Sequence, residues 1–256
     1  MILVSYCSPN LDNADSIPQT QISTQAATAS QSPNPIPSAT QDFATTPLPS
    51  ASFSTETQES PVLVQLSQLT IKGRAPKTGY DRDLFGSAWA DVDQNGCDTR
   101  NDILQRDLTN ITYRPGTGSC VVESGDFYDP YTNTEFYFVK SSSGSSIEID
   151  HIVSLSDAWQ KGAQQWNSQT RKEFANDPLN LVATSQSANR AKSDSDAATW
   201  LPPNKGIRCS FISRQIAVKS AYQLWVTQAE YDAMYRVLQS CPDQSVASSE
   251  TLRGFS

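Results

Sequence analysis

Residues 147–153, Ile147-Glu148-Ile149-Asp150-His151-Ile152-Val153, decide how the rest of the chain is read. Apolar and polar residues alternate through Asp150, the period of a strand with one buried face, and the segment then runs into a polar loop at Ser154. His151 is the only histidine in 256 residues. A lone strand histidine is more often a core residue than a catalyst, so its neighbours have to settle its meaning. Asp150 and His151 are adjacent and point to opposite sides of a strand, unless the strand ends there and both reach one site.

Working outward, SDAWQKGAQQW and SQTRKEFAND have the spacing of two short helices, and Leu179 to Val182 that of a second strand. Ser185 to Ser193 predicts a helix beginning at a serine cap, and LPPN (201–204) stops any helix that follows. Residues 209–240 suit an amphipathic helix or pair, through Phe211, Val218, Tyr222 and Trp225, then Tyr231, Met234 and Leu238. Upstream, residues 61–71 form a short helix or strand, and KTGYDRDLFG (77–86) is an ordered loop. Thr99 to Leu108 is a short helix capped by Asp98 or Thr99. Residues 120–140 hold two β runs around a turn at Asp129-Pro130. Strands and long helices do not alternate, which excludes a parallel sheet and predicts an α+β fold.

Asp150-His151, then Asn180 after a loop, then Asn189-Arg190-Ala191-Lys192-Ser193-Asp194 on a helix is an order that resembles the HNH (ββα-metal) nuclease motif. DHIV and NRxKSD are similar to the HNH domain of RNA-guided CRISPR effector nucleases. The longer separation between His151 and Asn180 implies an inserted loop carrying the two short helices. Together with GYDRDLFG, W-x-D-x-D-x-x-GCDTRN, SGDFYDPYT, FAND, NLVA and W-LPP, the chain from about Leu66 to Cys241 resembles a family of secreted HNH endonuclease-like proteins. The resemblance implies a ββα-metal core embedded in a mixed α+β domain at 61–245. It also implies phosphodiester hydrolysis with little sequence preference, in DNA before RNA.

These residue types suit that chemistry. His151 is the one side chain whose unperturbed pKa, roughly 6–7, qualifies it as general base. Asp150 and Asn189 offer one anionic and one neutral oxygen, an incomplete shell suited to Mg²⁺ or Mn²⁺. With a single histidine, a multi-histidine zinc or nickel site cannot be built. The resemblance gives Asn180 the task of tying the two strands and the histidine loop together through backbone hydrogen bonds. Lys192, one helical turn past Asn189, shares its helix face and is a candidate phosphate contact, the alternative being a solvated helix end. Arg82 and Arg100 are candidates to clamp phosphate oxygens, unless they pair with Asp81 and Asp98. Asp91, Asp93 and Asn95, with Asp102 at the twelfth position, resemble an EF-hand loop and suggest calcium. A non-catalytic, calcium-stabilised extracellular binding protein on the same fold is therefore the competing function.

Composition divides the chain. Residues 1–60 are a low-complexity Ser/Thr/Pro/Gln tract without periodicity, expected to be a disordered linker. Cys7, followed by Ser8, resembles a lipoprotein attachment site, the alternative being an incidental cysteine. The net charge is −8, yet all 19 basic residues lie from Lys72 onward while five of the 27 acidic ones precede it. The domain is thus only mildly acidic and does not exclude a nucleic-acid partner. Zinc fingers and basic arms are absent, which argues against sequence-specific reading of DNA. No stretch reaches the roughly 20 apolar residues of a membrane span. Cys97, Cys120, Cys209 and Cys241 form no CxxC pair and allow three disulfide connectivities. Sequential pairing, at about 3 kcal/mol per loop, suits an oxidising compartment, hence secretion or the cell surface. Residues 246–256 are read as a C-terminal tail.

Overall fold

Pro61 at the first helical position begins α1 (Pro61–Ser67), whose Val62 and Leu66 point into the core. The computed structural model describes residues 60–141 and 146–249, all within one unit that runs from Thr55 to Ser256. The expectations placed on residues 1–59, a linker and a lipid attachment at Cys7, lie outside the described residues. The fold is α+β. Among the described residues no helix is long and apolar enough to cross a membrane.

Helix α2 (Thr99–Asp107) starts at Asp98, whose carboxylate accepts from the Asn101 amide. The chain then enters a strand that the sequence did not suggest, β1 (Leu108–Tyr113), which pairs antiparallel with β2 (Val122–Asp129); β2 pairs in turn with β3 (Thr134–Val139). Asn110 at φ 49° breaks the alternation and coincides with a register shift between Thr109 and Thr112. That bulge hid the strand from a two-residue period.

The second sheet is the pair β4 (Ile147–His151) and β5 (Leu181–Ser185), with Asp150 opposite Val182 and His151 opposite Leu181. Between them lie α3 (Leu155–Gln160) and α4 (Ser168–Asn176), and after them α5 (Gln186–Lys192), begun by the Ser185 cap. This is a ββα unit with a helical insertion. Ile147 and Ile149 pack with Ile103, Leu104, Phe127 and Phe138 between the sheets. The other face of β4, bearing Glu148 and Asp150, turns to α5. Every residue of β5 is buried, so the unit is covered on both sides.

Helix α6 (Arg208–Ala221) is buried continuously from Phe211 to Lys219, which makes it the central helix. Its polar side chains hold the ββα unit from behind. Arg214 Nη2 donates to the Leu181 carbonyl at 2.9 Å, and Gln215 Nε2 to that of Ile152 at 3.1 Å. Lys219 joins a buried charge cluster with Asp157, Lys161, Asp196 and Glu230, the last on α7 (Gln228–Leu238). Disulfides join Cys97 to Cys120 and Cys209 to Cys241, the sequential pairing. Packing continues past residue 245, since Val246 and Ala247 contact the core and the Ala247 amide donates to Ser213 Oγ. The domain therefore reaches into the expected tail.

Candidate active site

Strand β4 continues through His151, so Asp150 and His151 face opposite sides. The His151 ring lies toward α4 and the loop before α2. Its Nε2 is 2.9 Å from the carbonyl oxygen of Ala175, and Trp89 stacks on it with centroids 6.3 Å apart and planes 13° apart. A carbonyl only accepts, so Nε2 carries the proton and Nδ1 keeps the lone pair. Burial pulls the His151 pKa down to about 3, against the Ala175 hydrogen bond, and the charges of Arg82 and Lys192 lower it further. The imidazole is therefore neutral at ordinary pH, well below the range of 6–7 expected from an unperturbed side chain.

Asn180 is fully buried and clamps the loop after His151. Its Oδ1 accepts from the Val153 amide at 2.8 Å, its Nδ2 donates to the Val153 and Phe174 carbonyls, and its own carbonyl accepts from Ile152. It reaches no solvent. A cleft in front of β4 is lined by Lys77, Tyr80, Arg82, His151, Asn189 and Arg190, with Asp150 and Asp194. A smaller cavity behind it shares Arg82 and His151 and adds Trp89, Ala175 and Asn176. Arg82, on a 3₁₀ turn begun by the Asp81 cap, is thus the one predicted phosphate contact that joins His151 in lining the cleft.

The other two are elsewhere. Lys192 has no solvent exposure; its ammonium donates to Asp150 Oδ1 at 2.9 Å and to the His151 carbonyl at 2.7 Å. Helix α5 lies against β4 and turns this residue inward, so the expected phosphate contact is corrected to a buried ion pair. Arg100 leans on β4, with Nη2 3.3 Å from the Ile147 carbonyl, and its burial lowers its pKa. It does not line the cleft.

Asp150 and Asn189 were expected to hold a divalent cation. Both Asp150 oxygens have protein partners, Lys192 on Oδ1 and the Tyr131 hydroxyl on Oδ2 at 2.7 Å. Asn189 Nδ2 donates to Glu148 at 2.8 Å. Among the described residues no group of three or more His, Cys, Asp or Glu side chains is arranged to hold a metal ion. As they stand, these residues do not form a cation cradle. Asp91, Asp93 and Asn95 meet Asp102, but their oxygens are engaged within the loop. Asp91 accepts from the Asn95 and Gly96 amides, and Asn95 Nδ2 donates to Asp93 and Asp102.

Residues 98–237, more than half of the chain, match the family described as the C-terminal domain of GmrSD restriction endonucleases. The chain belongs to that family. A protein of Arthroderma benhamiae described as an uncharacterized secreted protein is 38% identical over 178 residues, which cover 69% of this chain and 82% of that one. No solved structure matches. The GmrSD span takes in β4, Asn180, β5 and α5, and begins too late to include Arg82 and Trp89. In the sequence Trp89 shows only as the first residue of the W-x-D-x-D-x-x-GCDTRN block, with nothing that links it to His151. The Ala175 carbonyl, being backbone, left no signal at all. Glu148 and Tyr131 escaped notice because their partners lie 41 and 19 residues away in sequence.

Proposed function

We propose that the protein is an exported endonuclease that hydrolyses phosphodiester bonds in DNA, with RNA as the second substrate, and that His151 is its general base. One observation carries this reading. The only histidine lines the cleft with its Nε2–H committed to the Ala175 carbonyl, which leaves Nδ1 as the ring's acceptor. Family membership supplies the reaction class. In this reading Nδ1 takes the proton of a water that attacks phosphorus, and the displaced oxygen leaves with a proton from solvent. Arg82, Lys77 and Arg190 supply positive charge around the phosphate oxygens. Asp150, Lys192 and Asn180 act by fixing the strand end. Export is supported by the two disulfides and by the description of the Arthroderma relative as secreted.

Dependence on Mg²⁺ or Mn²⁺ is supported by the HNH resemblance alone, because the donor set does not form a cradle. Plasmid nicking by purified protein, with and without EDTA and beside His151→Ala, tests the whole reading. Cleavage by the wild type, reduced about 10²–10⁴-fold in the variant, is expected. A folded wild type that leaves supercoiled DNA and single-stranded RNA intact with Mg²⁺, Mn²⁺ or Ca²⁺ would sink it and leave the binding-protein alternative.

A further inference from the structure

Trp89 lies outside the residues that match the family, yet its ring lies nearly parallel to the imidazole of the only histidine, with centroids 6.3 Å apart. Its backbone is unusual. At φ 59° it occupies the left-handed region, which a bulky residue enters only when the surroundings hold it there.

The holding contacts follow Trp89 in the chain. The Thr99 hydroxyl donates to the Ala90 carbonyl, next in the chain after Trp89. Asp91 folds the following turn onto itself through the Asn95 and Gly96 amides. Cys97 then ties the loop to Cys120, two residues before β2. The acidic turn and the disulfide thus share one mechanical result, a tryptophan ring held parallel to His151. On the far side α4 supplies the Ala175 carbonyl to Nε2. The ring thus has two neighbours, a carbonyl hydrogen-bonded at its edge and an indole nearly parallel to its plane.

We propose that Trp89 is a positioning residue of the catalytic centre, which keeps the His151 ring in the plane where Nε2–H meets Ala175 and Nδ1 remains the base. Removal of the indole lets the ring rotate about its side-chain bonds, and the Ala175 hydrogen bond is no longer held in line. Misplacement of a base by about 1 Å is enough to lower turnover by some 10²-fold. The indole touches neither water nor phosphate in this scheme. The inference rests on His151 acting as base, and the experiment below separates the two.

Two variants and one spectroscopic readout test it. Trp89→Gly removes the ring and also relieves the backbone, because glycine adopts positive φ without strain; a loss of activity then cannot be ascribed to a strained loop. Trp89→Phe keeps a stacking ring. With a single histidine, ¹⁵N-imidazole resonances of labelled protein report the His151 tautomer without assignment. The expected result on a plasmid substrate is a kcat at least about tenfold lower for Trp89→Gly, with KM within about twofold of wild type and most of the rate retained by Trp89→Phe. The ¹⁵N spectra should move from one tautomer in the wild type to a mixture in Trp89→Gly. A Trp89→Gly protein with wild-type kcat and one tautomer would overturn the inference. So would equal losses in both variants with the tautomer unchanged. If the wild type itself does not cut, the nuclease reading fails, and the ¹⁵N comparison alone still decides whether Trp89 positions the ring.

Discussion

The ammonium of Lys192 lies 2.9 Å from Oδ1 of Asp150 and 2.7 Å from the carbonyl oxygen of His151, sealed from solvent. One buried cation thus holds both residues of the strand end on which the site is built. Burial pushes the Asp150 carboxyl above its ordinary range, against the opposing pull of Lys192 and the Tyr131 hydroxyl. The pair is structural in the sense that neither partner can be lost alone.

Lys192→Met should therefore destabilise the domain by about 3–5 kcal/mol, since it leaves a carboxylate buried without its counter-charge. Urea denaturation reads the loss. Combining it with Asp150→Asn should recover part of it, as expected for residues in contact. A Lys192→Met protein of wild-type stability, altered only in KM and salt dependence, would restore the phosphate-contact reading.

His151 should not titrate near neutrality. Its folded pKa of about 3 lies below the ordinary 6.5, so the unfolded chain binds the additional proton between those values. Stability then falls as pH drops through that window, by at most about 1.4 kcal/mol per unit from this group. An NMR titration of the lone histidine should show one neutral tautomer from pH ~8 down to ~5. A midpoint between roughly 6 and 7 would contradict the buried, carbonyl-bound ring.

Asn180→Ala should cost about 1–3 kcal/mol by orphaning the buried Val153 amide. It should also release the loop that follows His151, so kcat on nucleic acid should drop while KM changes little. Measuring stability and kinetics on the same preparation checks both. Normal stability with full activity would remove the clamp from the argument.

The buried charge cluster gives a prediction for acid. Burial pushes the Asp157 carboxyl up, but Lys219, Lys161 and Arg74 more than offset it and hold the pKa at about 2. Being depressed, it contributes stability that is present above the ordinary carboxylate value of 3.8 and is lost as pH falls through about 2. Asp157→Asn should remove that contribution at neutral pH and leave Lys161 and Lys219 short of a counter-charge. The thermal midpoint should fall markedly at pH ~7 and differ much less from wild type near pH ~2. An unchanged midpoint at neutral pH would show that the cluster carries no net stability.

Local patterns were sufficient for much of this protein. The alternation in residues 147–153, the Ser185 cap, the amphipathic run from 209 to 240 and the β formers around Asp129-Pro130 each specify an element from neighbouring residues alone. The order of Asp150, His151, Asn180 and Asn189 was enough to suggest a ββα unit with an insertion, because that pattern is carried along the chain. Strand β1 was lost to local reading because one residue, Asn110, breaks its period.

What the side chains do was decided by packing. Sequence spacing put Lys192 on the same helix face as Asn189, and only the apposition of α5 to β4 shows that this residue turns inward to Asp150. The neutral state of His151 comes from burial and from the charges of Arg82 and Lys192, and its tautomer from a backbone carbonyl 24 residues away. Arg82 and Arg100 read alike in sequence, yet one lines the cleft and the other lies against a strand. Secondary structure follows from interactions a few residues apart, which a sequence displays. Protonation, ion pairing and exposure follow from which distant groups exclude water from one another, and the folded chain alone brings those groups together.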